Sequence, residues 1–147
     1  MRKYYLFGIS KNSYYSYHNN SEILYKTLEN LYNLKHRDFS YGISIYNQLC
    51  DIFNYDVLTN YFDKIPIHVK KRGKKYIVQD MYEHECYIIE IRHACIIILC
   101  ENNLPKILRL LNYYNPRIFI CDFENGDYFW NNQSFSNNKF FEQYNLI

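Results

Sequence analysis

Glycine is scarce in this chain, with four among 147 residues. That leaves little material for a loop that cradles phosphates, and no Gly-rich nucleotide-binding turn is present. Neither Gly-x-Ser-x-Gly nor His-Glu-x-x-His occurs, so no hydrolase can be argued from motif. No apolar run approaches the ~20 residues that span a bilayer. The basic start Met1-Arg2-Lys3 leads into only a brief apolar stretch without a small-residue cleavage site, so it does not read as a signal peptide. An excess of charge is also lacking. With 17 basic against 15 acidic residues, the formal net charge of +2 is too small to argue by itself for nucleic acid or a membrane surface. The five cysteines are odd in number and scattered, which excludes a simple disulfide framework. They read as small buried hydrophobes in a reducing, cytosolic setting.

What the chain has instead is aromatic residues, 18 Tyr and 10 Phe. An AT-rich coding bias is the plain explanation. The physical consequence stands regardless, because an exposed tyrosine offers a large rigid ring with a polar tip and makes a good contact residue. Apolar residues make up 48% and are spread throughout, which argues for one globular domain over 1–147 and against general disorder.

The stretch from Ala94 to Trp130 organises the fold. Ala94 to Cys100 is a continuous apolar run, as expected of a strand covered on both faces. Pro105 suits a first helical turn, and Leu104, Ile107, Leu108 and Leu111 form an apolar stripe at helical spacing. Asn115-Pro116 stops that helix. Arg117 to Phe123 reads as a second strand, and Glu124-Asn125-Gly126 as a hairpin turn. Strand, crossover helix and strand predict a parallel βαβ unit followed by a hairpin.

Upstream, residues 3 to 9 favour a strand. The polar segment KNSYYSYHNN is either a loop or a short helix. Asn20 or Ser21 is placed to cap a helix lined by Ile23, Leu24, Leu28, Leu31 and Tyr32. Leu34 to Gly42 reads as a connector. Ile43 to Asp63 reads as two helices broken near Asn54-Tyr55-Asp56, with Asn54 or Asp56 capping the second. Ile65–Lys70, Lys75–Asp80 and Cys86–Ile91 are further strands. The prediction is an α/β fold in a single domain, with a mixed sheet of about five or six strands, flanking helices and the βαβ-hairpin unit at its C-terminal end. Residues 131–147 are expected to form a loosely packed tail, with a short helix near Phe140.

Four constellations bear on function. His84, Cys86, His93 and Cys95 form two His-x-Cys steps, but this is not a recognised zinc spacing, and buried thiols are the ordinary reading. Asp122, at the end of a strand, is the best catalytic candidate. With Glu124 and Asp127 it could bind a cation, although a solvated hairpin tip is the usual explanation. Lys70, Lys71, Arg72, Lys74 and Lys75 put five positive charges on one hairpin, enough for phosphate contacts. A charged turn that discourages edge-to-edge strand pairing explains them as well. Tyr14, Tyr15 and Tyr17, in a polar segment beside the helix around Ile45 to Phe53, read either as a lid on the core or as a contact patch.

Several of these stretches, taken in order, resemble the SirA family, the sporulation inhibitors of replication of endospore-forming bacteria. Lys3-Tyr4-Tyr5-Leu6-Phe7 is similar to the family's opening strand with its paired tyrosines. Tyr14 to His18, then Glu22 and an apolar helix, follow at matching distance. His93 and the apolar strand after it fall in place. Asn115 to Phe123 resembles the family's Pro, hydrophobic run and Asp-Phe, and Tyr128-Phe129-Trp130-Asn131 its Tyr-x-Trp-x-Asn close. The middle, Phe53 to Tyr87, is poorly matched.

The resemblance implies a cytoplasmic protein without catalysis or cofactor. It would be a monomer before binding, and would hold the N-terminal domain of the initiator DnaA through an aromatic and helical surface. By position, Tyr14 matches one aromatic contact, Tyr17 or His18 a second, and Gln48 a contact glutamine on the following helix. Tyr15 lies among them. Ile45 and Ile52 lie on roughly the face of Gln48.

Overall fold

The fold is built on its first strand. A computed structural model describes residues 1–34, 39–51, 53–64, 68–73, 75–80, 85–92, 94–101 and 105–136. Strand β1 (Arg2–Gly8) sends Tyr4 and Leu6 to one face of the sheet and Tyr5 and Phe7 to the other, and all four are buried. Alternation along a strand sends successive side chains to opposite faces, so an unbroken apolar run needs cover on both. Helices supply that cover, and the architecture is a single α/β domain.

On the face of Tyr5 and Phe7 lie α1 (Lys11–Tyr17), α2 (Ser21–Tyr32) and α3 (Phe39–Leu49), whose Leu24, Tyr25, Leu28 and Leu49 join one core cluster. On the opposite face, Leu58 of α4 (Tyr55–Lys64) and Ile107, Leu108 and Leu111 of α5 (Ile107–Tyr114) pack against Tyr4 and Leu6.

Among the described residues the sheet has seven strands, ordered β2-β3-β4-β5-β1-β6-β7. These are β2 (His68–Arg72), β3 (Lys75–Asp80), β4 (Glu85–Ile91), β5 (Ile96–Cys100), β6 (Ile118–Asp122) and β7 (Asp127–Trp130). Every pairing between them is antiparallel. This corrects the expected mixed pairing and the expected βαβ unit of adjacent strands. β5 and β6 do run in the same direction across helix α5, but β1 lies between them, with Leu6 opposite Ile96 on one side and Ile120 on the other. Periodicity reports that a strand is covered on both faces. It does not report which strand is its neighbour.

Local chemistry explains the element ends. The side chain of Ser10 accepts from the Ser13 amide and caps α1. Asn54 does the same for α4 through Val57 at 3.1 Å. Asn20 precedes α2 but makes no side-chain cap, and the Ser21 hydroxyl instead accepts from Trp130 Nε1. Helix α2 turns Tyr25 inward, while Ile23, expected on the apolar stripe, faces solvent. The expected connector ends early, since α3 begins at Phe39. Within it Gly42 sits against Leu34, where a Cβ would collide with that side chain. Gly126 closes the β6–β7 turn with φ of 69°, a value that L side chains rarely adopt.

The stretch expected to be a loose tail begins as helix α6 (Asn131–Ser136). Its first residue, Asn131, is buried and donates to the Leu108 carbonyl at 2.8 Å. Residues 137–147, including Phe140, lie outside the described residues.

Leu6 is fully buried at the centre of the sheet. Leu6→Ala is expected to lower unfolding free energy by about 2–5 kcal/mol in urea titrations, the range of buried large-to-small changes. Tyr113→Ala, at a ring 81% exposed, should stay within about 0.5 kcal/mol.

Candidate functional site

The segment Lys11–Tyr17, left open between loop and helix, is the helix α1, and it abuts the end of α3. The seam is made by short hydrogen bonds. Ser13 Oγ donates to the Gln48 carbonyl at 3.1 Å, and the Ser10 amide donates to the Leu49 carbonyl at 2.9 Å. Ile9 and Cys50 form an isolated bridge, and the Asp51 amide donates to the Gly8 carbonyl at 2.8 Å. At the other side of α3 the Tyr46 hydroxyl donates to the Ala94 carbonyl. Both helices are thereby tied to the ends of sheet strands, which fixes the surface they share.

The sequence-predicted contact residues on that surface divide into two sets. Tyr14 is a half-buried anchor. Its ring stands edge-on to Trp130 at 4.9 Å, it stacks with His18 at 5.4 Å, and its hydroxyl accepts from Asn132. Tyr17 and Ile45 are also half-buried, packed against the core cluster of α2 and β1. His18 Nδ1 lies 3.1 Å from the Tyr14 carbonyl, within its own helix end. Tyr15 differs, with its ring 64% exposed. Gln48 is likewise exposed. Ile52 lies outside the described residues. Tyr41 and Ile43, in and beside the expected connector and without a sequence signal of their own, are exposed on α3.

Asp122 is not an open catalytic carboxylate. It is buried, and its Oδ2 accepts from Arg2 at 2.8 Å and from Asn125 Nδ2 at 2.7 Å. Its Oδ1 accepts from the Asn125 amide at 3.2 Å. The same Arg2 guanidinium reaches Asp127 Oδ2 at 2.7 Å. Arg2 therefore supplies the positive charge between two of the three acidic residues considered for a cation, while Glu124 is exposed and stands apart from it. Burial alone would raise the pKa of Asp122, but the hydrogen bonds from Asn125 and Arg2 outweigh it and hold the carboxyl below its ordinary value.

The cysteines and histidines do not gather. Cys95 is buried and Cys86 is exposed, while His84 and His93 lie outside the described residues. Among the described residues, no three His, Cys, Asp or Glu side chains come together as a metal site. Burial pushes the Cys95 thiol up to about 11 and raises Cys50 and Cys121 as well, which makes all three poor nucleophiles at neutral pH. No described helix is long and apolar enough to cross a membrane. On the β2–β3 hairpin, Lys71, Arg72 and Lys75 are exposed. Lys70 belongs to β2, and Lys74 lies outside the described residues.

Asp122→Asn is expected to cost ~1–3 kcal/mol of stability at neutral pH, since it removes the buried negative charge that meets Arg2 and one of the two acceptor oxygens. A carboxyl with a depressed folded-state pKa stabilises fully above its unfolded value of about 3.9. The difference between wild type and variant should hold down to about pH 5 and shrink as pH falls through the lowered folded value, which urea titrations across pH 2–7 would follow. Compared with known proteins, the sequence matches no family model and no curated protein.

Proposed function

We propose that this protein inhibits replication initiation by binding the N-terminal domain of DnaA through the surface shared by α1 and the end of α3. The observation that carries the reading is Tyr15, 64% exposed on a helix whose N-terminal end is hydrogen-bonded to the Gln48 and Leu49 carbonyls of α3, where the Gln48 side chain is exposed as well. An aromatic side chain kept in place by its helix loses little freedom on binding, and one such anchor in a partner's groove supplies ~2 kcal/mol or more. The half-buried Tyr14 ring, 6.2 Å from that of Tyr15, backs it on the core side. Inhibition follows from occupying a surface that DnaA needs for its own assembly, so no chemical step is required. The identity of the partner rests on the SirA resemblance, and a cytoplasmic location and a role in sporulation go with it.

The exposed Lys71, Arg72 and Lys75 favour a second reading, binding of nucleic acid by the β2–β3 hairpin. It predicts an affinity that falls with salt by a logarithmic slope of about −0.9 per phosphate neutralised.

In calorimetric titration, the full chain should bind the DnaA N-terminal domain, and Tyr15→Ala should weaken the complex at least about thirtyfold with the circular dichroism unchanged. Tyr15 is the better probe than Tyr14, whose ring also buttresses Trp130. Absence of a complex at tens of micromolar would sink the proposal. Binding to single- or double-stranded DNA that is lost on Lys71→Ala/Arg72→Ala/Lys75→Ala would support the second reading in its place.

A further inference from the structure

A hollow of about 140 Å³ opens between the last turn of α2 and the start of the β6–β7 turn. It is lined by Lys3, Tyr5, Glu29, Tyr32, Asn33, Phe123 and Glu124. Its wall is aromatic: Tyr32 and Phe123 stack at 4.7 Å and 15°, and Tyr5 meets both rings at 5.2 and 5.3 Å. Lys3 Nζ lies 5.3 Å over the Tyr5 ring, which fixes the amine on one side.

The charges around this hollow are complementary but not joined. Glu29 Oε2 accepts from the Tyr25 hydroxyl, which leaves its other oxygen open. Among the described residues, Lys3, Glu29 and Glu124 make no ion pair with one another or with any other side chain. One amine and two carboxylates therefore border a single space without neutralising each other across it. The carbonyl end of α2, whose last turn carries Glu29 and Tyr32, adds partial negative charge at the same place. The volume is well below that of pockets for drug-sized ligands and near that of a cavity that holds a benzene ring.

We infer that this hollow binds a free basic α-amino acid such as L-lysine. Its carboxylate meets Lys3, its two ammonium groups meet Glu29 and Glu124, and its methylene chain lies on the Tyr32–Phe123 wall. A neutral amino acid satisfies the amine and only one carboxylate. An acidic one brings a second negative charge toward two glutamates. The count of charges thus selects for a cationic side chain, independently of any partner on α1 and α3.

The test is a ¹H–¹⁵N NMR titration of the full chain with L-lysine, L-norleucine and L-glutamate. L-Lysine should shift the amides of Lys3, Glu29, Asn33 and Glu124 saturably, with millimolar affinity typical of an open, solvated site. L-Norleucine should bind at least about tenfold more weakly, and L-glutamate should give no saturable shift. Glu124→Gln, at an exposed position unconnected to the core, should weaken L-lysine by about two- to fivefold and leave the rest of the spectrum unchanged. Lys3→Met should weaken L-lysine but not cadaverine, because only L-lysine has a carboxylate for that amine to meet. No saturable shift by tens of millimolar, equal binding of the three amino acids, or a Glu124→Gln protein that binds as wild type does would each overturn the inference.

Discussion

The insertion of β1 between β5 and β6 is the constraint on which the rest of the structure depends. Those two strands run the same way because a helix joins them, and a strand antiparallel to both completes their hydrogen bonding. β1 is thus paired along both edges and covered on both faces, which is the most demanding position a strand can hold. Its apolar composition follows from this. So does the need for α1, α2 and α3 on one side and α4 and α5 on the other, since an uncovered face would leave Tyr5 and Phe7, or Tyr4 and Leu6, in water. The continuation of β1 is equally constrained, because Ile9 and Ser10 carry the bonds that seat the end of α3.

Much of this was legible in the sequence, in the places where one local signal decides the outcome. Asn54 before α4, the stop at Asn115-Pro116 and the Gly126 turn each depend on a single residue's geometry, and each stands where its chemistry puts it. The neighbour of β5 was not legible. A run such as Ile96–Cys100 is equally consistent with parallel and antiparallel partners, and the deciding strand lies some ninety residues earlier in the chain. Asn131 shows a different failure. An asparagine-rich stretch reads as solvated, yet this side chain is buried because the Leu108 carbonyl, near the start of α5, accepts its amide.

The candidate surface was legible as a location but not as a division of labour. Tyr14, Tyr15 and Tyr17 are indistinguishable by composition. Helical geometry separates them, since positions three or four apart share a face while adjacent ones diverge. Tyr14 and His18, four apart, therefore stack on each other, with Tyr14 edge-on to Trp130, while Tyr15 is turned to solvent. Had the segment been a loop, that pattern could not have been stated. The helix, capped by Ser10 and stitched to Gln48, converts a cluster of tyrosines into one outward ring on a fixed base.

Alternation along β1 also governs the two cations that precede its apolar run. Arg2 shares a face with Tyr4 and reaches Asp122 and Asp127, so its charge is met by two carboxylates. Lys3, one residue later, points to the other face and rests over Tyr5 with no carboxylate in contact. Had the strand been shifted by one residue, the roles would exchange, because a strand's side-chain period is two. The same register that satisfies Asp122 therefore leaves an amine beside Glu29 and Glu124 across an open hollow. Across that hollow Glu29 is carried by α2, whose Leu24, Tyr25 and Leu28 are fixed in the core. The unneutralised charges are a consequence of how the core is packed, and a ligand is what the packing leaves room for.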